Sequence, residues 1–239
     1  MNEHEIYKNT FPLEARKLLN KVEKSINTNQ IGGAKMIPSV LIVGDNFKMN
    51  EDFSIWYEKM LLKNNVFPIR GNKTYLSLVF PKNGSEKDYR RFYLSPQIVS
   101  CVQNKFYGIL EISFEEFDGK DLLNSEELSR LLSYIDENKE TIIFVFSVTS
   151  KFKETNALKE LLSNHLLIEN LRLEIINTEN ASLYVKTVLK NNGLVFRPEA
   201  SLELKNIIDT KVNVNSPDFN GYSSLDIIAN NLMYELKPK

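Results

Sequence analysis

The chain of 239 residues is long enough for one extended domain or two smaller ones with a real core. Its charged fraction of 26% and hydrophobic fraction of 42% are those of an ordinary globular protein. The formal net charge of −1 gives no overall attraction to nucleic acid or to an anionic membrane, although a local basic patch remains compatible with it.

Few residues suited to redox or metal chemistry are present. The single cysteine, Cys101, excludes an internal disulfide framework and fits a reducing compartment. With only His4 and His165 beside it, a zinc site of the usual composition cannot be built. The N-terminal segment lacks a basic region followed by an apolar one, and no apolar run reaches the roughly 18 residues that span a bilayer. We therefore expect a cytoplasmic protein without a membrane segment.

The first half of the chain contains one informative stretch. Helical periodicity predicts an amphipathic helix at 12–28, and a polar, glycine-containing loop follows it. The apolar, β-branched run 37–43 then stops at Gly44 and gives way to helical spacing over 52–64. Such a run is typical of a buried strand of a parallel sheet. Strand, glycine turn and helix together form the layout of a phosphate-binding loop.

Four further short apolar runs predict strands with helices between them. The predicted strands are 74–80, 107–114, 141–148 and 171–176, and the predicted helices are 85–103 (broken at Pro96), 125–138 and 154–167. Five apolar strands that alternate with helices predict a parallel α/β sheet with both faces covered.

The chain changes character after Asn177, where only helices are predicted. They span 181–192, 198–209 and 225–236, and Gly193 and Pro198 mark a helix end and a helix start. We therefore predict an α/β core over 1–177 and a small helical subdomain over 178–239.

The order and spacing of these elements resemble those of AAA+ modules, the ring-forming P-loop ATPases with an α/β core and a helical lid. The resemblance covers nearly the whole chain, and residues 191–208 (NNGLVFRPEASLELKNII) are its most lid-like stretch. It implies a P-loop NTPase-like, parallel five-stranded sheet with a C-terminal all-helical lid. In that frame Gly44 begins the phosphate loop, 107–116 is the strand that leads to the acidic site, and 141–150 is the sensor strand.

The phosphate loop departs from the family's pattern. Read from Gly44, the motif G-x-x-x-x-G-K-[ST] requires glycine, lysine and serine or threonine at positions that here carry Met49, Asn50 and Glu51. The candidate nucleotide-binding residues are therefore Gly44, Asn46 and Lys48. Lys48 stands two positions early and would reach a phosphate only from a shortened loop. The alternative is an ordinary strand-to-helix turn with a solvated lysine.

The other family positions are also altered. The resemblance implies that Glu115 would support Mg²⁺ and that Glu116 would orient the attacking water, although aspartate is usual at the first position; the alternative is a solvated acidic loop. Ser147 and Thr149 occupy the sensor position. No arginine occurs at 163–165, where the family places its arginine finger. Such an arginine alone contributes about three decades or more in rate, so efficient hydrolysis is not expected.

A basic and aromatic cluster lies on the helix predicted before Pro96. Lys87, Arg90 and Arg91 alternate there with aromatic residues, a composition suited to nucleic acid or to a protein partner. The alternative is an amphipathic helix with a solvated basic side.

Three interpretations of function remain. The leading one is a catalytically degenerate AAA+-like module that acts as an assembly or adaptor subunit, with another AAA+ ATPase or a second copy of itself as partner and no bound cofactor. A second is an atypical ATPase that binds ATP and Mg²⁺ through a shortened phosphate loop. A third is a nucleic-acid-binding module that uses the basic cluster.

Overall fold

The computed structural model describes residues 10–28, 37–67, 74–82, 92, 106–117, 125–152, 154–194, 197–214, 216 and 218–235. In chain order the elements are α1 (Leu13–Asn27), β1 (Ser39–Val43), α2 (Phe47–Lys63), β2 (Tyr75–Val79), β3 (Gly108–Ser113), α3 (Ser125–Asn138), β4 (Ile142–Val148), α4 (Thr155–Ser163), β5 (Ile168–Arg172), α5 (Thr178–Asn191), α6 (Pro198–Lys211) and α7 (Gly221–Glu235). The predicted helix at 85–103, apart from Phe92, and Cys101 lie outside the described residues.

The strands form one parallel sheet. Their order is β2-β3-β4-β1-β5, and every neighbouring pair is parallel. Val40 of β1 lies opposite Val145 of β4 on one side and Glu169 of β5 on the other. Every residue of β3 and β4 is buried, as expected for strands that are covered on both faces. The predicted five-stranded parallel α/β sheet is confirmed.

The direction of the connections decides which helices cover which face. In the order β2-β3-β4-β1-β5, the connection from β1 to β2 runs toward the β2 edge of the sheet. The connections from β3 to β4 and from β4 to β5 run toward the β5 edge. Right-handed crossovers therefore place α2 on one face and α3 with α4 on the other. The buried side chains agree: Val40 and Ile42 pack with α1, α2 and the C-terminal helices, whereas Leu41 packs with α3 and α4.

Several predicted boundaries are wrong; for example, α4 ends at Ser163 and not at residue 167, and α5 begins at Thr178 and not at residue 181. β5 spans Ile168–Arg172 and not 171–176, because Ser39 of β1 is paired with Ile168 and Val43 with Arg172. α2 begins at Phe47, well before the predicted residue 52, because the side chain of Asn46 caps it by accepting a hydrogen bond from Met49 N. α7 begins at Gly221 and not at residue 225.

The C-terminal helices pack on the sheet domain through α2. One cluster of buried apolar side chains contains residues of α1, α2 and β1 together with residues of α5, α6 and α7. The chain enters α5 at Asn177, whose side chain accepts a hydrogen bond of 2.8 Å from Asn180 N. The division into 1–177 and 178–239 stays a prediction. In the described part of the chain, no helix is both long and apolar enough to cross a bilayer.

Candidate functional site

The sheet topology locates the candidate site at the carboxyl ends of β1 and β4. These strands are neighbours, yet their connections leave in opposite directions, and open α/β sheets bind ligands in the crevice at such a point. Gly44 follows β1 in this crevice, and Thr149 and Ser150 follow β4.

The loop between β1 and α2 is short. It consists of Gly44, Asp45 and Asn46, so that Lys48, Met49 and Asn50 belong to the first turns of the helix. A phosphate-binding loop wraps its ligand with a longer run of backbone N–H groups. Here Asn46 Oδ1 instead accepts the hydrogen bond from Met49 N, at 2.9 Å.

Asp45 bridges the two sides of the crevice. Its carboxylate accepts hydrogen bonds from Ser150 N at 2.8 Å and from Ser150 Oγ at 2.7 Å. The bonds from Ser150, helped by the positive charges of Lys151 and Arg172, hold the pKa of Asp45 below its ordinary value against the opposing effect of burial. The residue that follows the glycine is therefore an anion, located where phosphate would have to enter.

Asn50 stands at the motif's lysine position and is turned into the loop. Its side chain is completely buried, and Nδ2 donates to Gly44 O at 3.2 Å. A Cβ atom at position 44 would lie 2.6 Å from Asn50 Oδ1 and 3.0 Å from Leu173 O. The glycine is thus needed for close packing between the loop, Asn50 and the segment after β5.

The two remaining nucleotide-binding candidates are held by other partners. Lys48 Nζ lies 2.7 Å from Glu51 Oε2 on the exposed surface of α2. The hydrogen bond and the charge of Glu51 raise the pKa of Lys48. Asn46, besides capping α2, donates from Nδ2 to Phe219 O at 3.0 Å and so contacts the segment that precedes α7.

The acidic candidates lie in an exposed turn after β3. Phe117 N donates to Phe114 O at 3.0 Å and closes this turn around Glu115 and Glu116. Glu116 accepts a hydrogen bond of 3.4 Å from Lys82 N, which follows β2. Within the described ranges, no three histidine, cysteine or acidic side chains are grouped closely enough to hold a metal ion.

The sensor candidates are also engaged. Ser147 is fully buried and donates from Oγ to Glu111 Oε1 at 2.7 Å, while Thr149 Oγ1 lies 3.5 Å from Phe117 O. Glu111 also accepts a hydrogen bond of 2.6 Å from Tyr75 OH. Burial raises the pKa of Glu111, and the hydrogen bonds oppose that rise.

Sequence reasoning missed Glu111, the one buried carboxyl of β3. It lies under α2, and its partners come from β2 and β4. The available signal was the single charged residue in the apolar run GILEIS. In a strand that is covered on both faces, a charged side chain is buried and needs a hydrogen-bonding partner.

The remaining predicted positions lie elsewhere or are outside the described residues. His165 lies just before β5, at the amino ends of the strands and away from the crevice at their carboxyl ends. Its Nδ1 lies 2.7 Å from Asp136 Oδ2 of α3. Lys87, Arg90 and Arg91 lie outside the described residues.

The comparisons with known proteins concern structure alone. No protein-family model matches the sequence, and no curated protein sequence matches it. Similar solved structures include domain III of the replication initiation protein DnaA from Thermotoga maritima, at 11% identity and a TM-score of 0.53, with 98% of this chain and 90% of that chain covered. The DNA clamp loader delta protein of Bacillus subtilis is similar at 12% identity and a TM-score of 0.41, with 92% and 58% covered. Thermotoga maritima RuvB is similar at 11% identity and a TM-score of 0.46, with 93% and 70% covered.

These likenesses bear on the fold. The match to DnaA domain III extends over nearly the full length of both chains. The chain therefore has the fold of an AAA+ module, a P-loop NTPase-like α/β fold, as its sequence predicted. It spans little more than half of the clamp loader delta chain, at 58%.

Proposed function

We propose that the chain is a catalytically degenerate AAA+-like module that serves as an assembly or adaptor subunit for an ATPase or a nucleic-acid machine. The observation that carries the proposal is the crevice at β1 and β4, which the chain's own side chains occupy. Asp45 bridges it to Ser150, and Asn50 packs against the carbonyl of Gly44.

These residues do not fit a nucleotide phosphate. An ionised Asp45 would repel it by roughly 1 to 4 kcal/mol at a separation of about 4 Å, depending on the local dielectric. The motif's lysine is replaced by Asn50, and the nearby cation Lys48 is already paired with Glu51. Because loop length, charge and packing each oppose binding, one local rearrangement would not create a site.

The class of partner rests on the fold. A module that keeps an AAA+ core and lid keeps the shape through which such modules assemble, and we propose another AAA+ ATPase or a second copy of this chain as its partner. DnaA, which has a domain of this fold, is a replication initiation protein. The extension from that protein to this chain is by analogy of fold.

Isothermal titration with ATP and ADP, with and without Mg²⁺, tests the proposal. We expect no binding at millimolar nucleotide. Micromolar binding that is lost in Lys48→Ala but kept in Lys63→Ala, a control at the other end of α2, would overturn the proposal in favour of an atypical ATPase. Sedimentation of the chain alone and mixed with a candidate AAA+ ATPase then distinguishes self-association from association with that ATPase.

A further inference from the structure

The start of α7 lies directly on α2. Tyr222 N donates to Asp52 Oδ2 at 2.9 Å. The preceding residue, Gly221, has a φ of +56°, and a Cβ atom there would lie 2.3 Å from the same oxygen. The carboxyl group of Asp52 thus caps the N-terminus of α7. The backbone N–H groups and the dipole there favour its charged form, so the proton is held only because burial outweighs them.

A second polar contact joins the same two segments. Asn46 Nδ2 donates to Phe219 O at 3.0 Å. Asn46 therefore donates to the residue Phe219, just before α7, and Asp52 accepts from Tyr222 in the first turn of α7. Their opposite roles fix the position of residues 219–222 along α2. We call these four residues, Asn46, Asp52, Phe219 and Tyr222, the latch.

Aromatic packing surrounds the latch. The ring of Tyr222 lies 5.1 Å from that of Phe11 and 4.8 Å from that of Tyr184, in edge-to-face geometry. Phe11 in turn contacts Phe53 of α2, at 6.1 Å. All four rings are buried. The aromatic cluster excludes water from one side of the contact and gives Asp52 a partly apolar environment.

Asp52 carries a proton more readily here than in solvent. Burial, the largest effect, raises its pKa to about 7, although the hydrogen bond from Tyr222 N opposes the rise. The charged groups that face it are Glu51 and Lys48 of α2 and Asp226 of α7; the two carboxylates raise the pKa, and the lysine lowers it. An undocked, solvated aspartate has an ordinary pKa near 3.8.

We propose that the latch holds the lid on α2 without any ligand and that proton uptake by Asp52 tightens it. By linkage, the state that binds the proton more tightly is favoured as pH falls. The added stability of the contact is fully present at a pH below the pKa of the undocked, solvated Asp52. It is lost as pH rises through the pKa of Asp52 in the docked state. The protonated carboxyl still accepts from Tyr222 N through its carbonyl oxygen. The proposal does not depend on the adaptor role.

Amide hydrogen exchange of the first turn of α7, in the full chain, tests the latch. Protection factors, corrected for chemical exchange rates, are compared at about pH 6 and about pH 8, on either side of the pKa of about 7. Uptake of one proton limits the effect to about tenfold for each pH unit. We expect protection to be several-fold lower at the higher pH.

Two variants and a control make the result specific. Asp52→Asn imitates the protonated side chain, so we expect high protection at both pH values. Asp52→Ala removes the acceptor, so we expect low protection at both. Asp209→Asn, at an exposed position of α6, should keep the wild-type pH dependence. Protection in the wild type that does not change with pH, or an unchanged pH dependence in Asp52→Asn, would overturn the proposal even if Asp52→Ala does not fold.

Discussion

Asp45 accepts hydrogen bonds from both the backbone N–H and the hydroxyl of Ser150, at 2.8 and 2.7 Å, and so ties the loop after β1 to the loop after β4. We expect Asp45→Ala to lower the free energy of unfolding by about 1 to 2 kcal/mol, because two hydrogen bonds to an ionised but partly solvated group are removed. Urea denaturation near neutral pH measures the change. Glu160→Ala, at an exposed position of α4, is the control and should change little.

The contribution of Asp45 should depend on acid pH. Its pKa is lowered in the folded chain, so the stabilisation is present above the ordinary value of 3.8 and is lost as pH falls through the folded value. The difference in stability between wild type and Asp45→Ala should therefore shrink in acid. Denaturation curves of both proteins over a pH series check this. A difference that grows on acidification would contradict the assignment.

Glu111 should stabilise the fold through the hydrogen bonds that its carboxyl oxygens accept and not through its charge. Glu111→Ala leaves Tyr75 OH and Ser147 Oγ without this acceptor and opens a cavity under α2, so we expect a loss of about 3 kcal/mol or more. Glu111→Gln keeps an acceptor oxygen and should cost about 1 kcal/mol. Urea denaturation compares the two. Equal losses would show that the carboxyl oxygens do not anchor the three strands.

The pH dependence of Glu111 has the opposite sign to that of Asp45. Because burial raises its pKa, the folded state binds the proton more tightly than the unfolded state, and stability from this group falls as pH rises through the folded pKa. Glu111→Gln should flatten that decline. The measurement is the free energy of unfolding over a pH series, with wild type and variant in parallel.

Gly221 and Gly193 form a matched pair. Both have positive φ, +56° and +87°, but a Cβ atom would strike Asp52 at position 221 and would meet nothing within 4 Å at position 193. We expect Gly193→Ala to cost about 1 kcal/mol from backbone strain alone. Gly221→Ala should cost more, because the carboxyl of Asp52 must move away. Thermal or urea unfolding tests the order, and equal costs would show that the contact is loose.

Nucleic-acid binding by the basic cluster stays a prediction, and its dependence on salt concentration tests it. Binding through Lys87, Arg90 and Arg91 must weaken with added salt, because neutralised phosphates release their counterions. Neutralising Arg90 and Arg91 should reduce the slope of log affinity against log salt by about 0.7 for each phosphate of a single strand that an arginine no longer pairs with. Fluorescence anisotropy with a labelled single strand measures it. Salt-independent binding, or an unchanged slope in the double variant, would eliminate this role.

The sequence predicted the elements whose signal is local. The apolar runs of β1 and β4 and the periodicity of α3, whose bounds at Ser125 and Asn138 were predicted correctly, are properties of neighbouring residues. The start of α2 was missed because the polar residues after Gly44 resemble a loop, whereas Asn46 caps the helix there. The displacement of β5 was likewise not visible, because its position is set by pairing with Ser39.

The arrangement around the crevice depends on contacts that no local pattern encodes. Asp45 and Ser150 are 105 residues apart in the chain, and Asp52 and Tyr222 are 170 apart. Sequence motifs indicated which residues stand at each family position. They could not show that Asn50 packs inward, that Lys48 is paired with Glu51, or that a lone glutamate in β3 anchors three strands.

The packing of Asn50 makes a lysine at this position hard to accommodate. Its side chain is fully buried against Gly44, where even one added carbon would collide. An Asn50→Lys substitution would bring a longer side chain and a positive charge into this closed space, and burying such a charge without a partner is costly. Because the loop before it has only three residues, a working cradle would require an insertion as well. No single substitution would therefore turn this loop into a phosphate-binding loop.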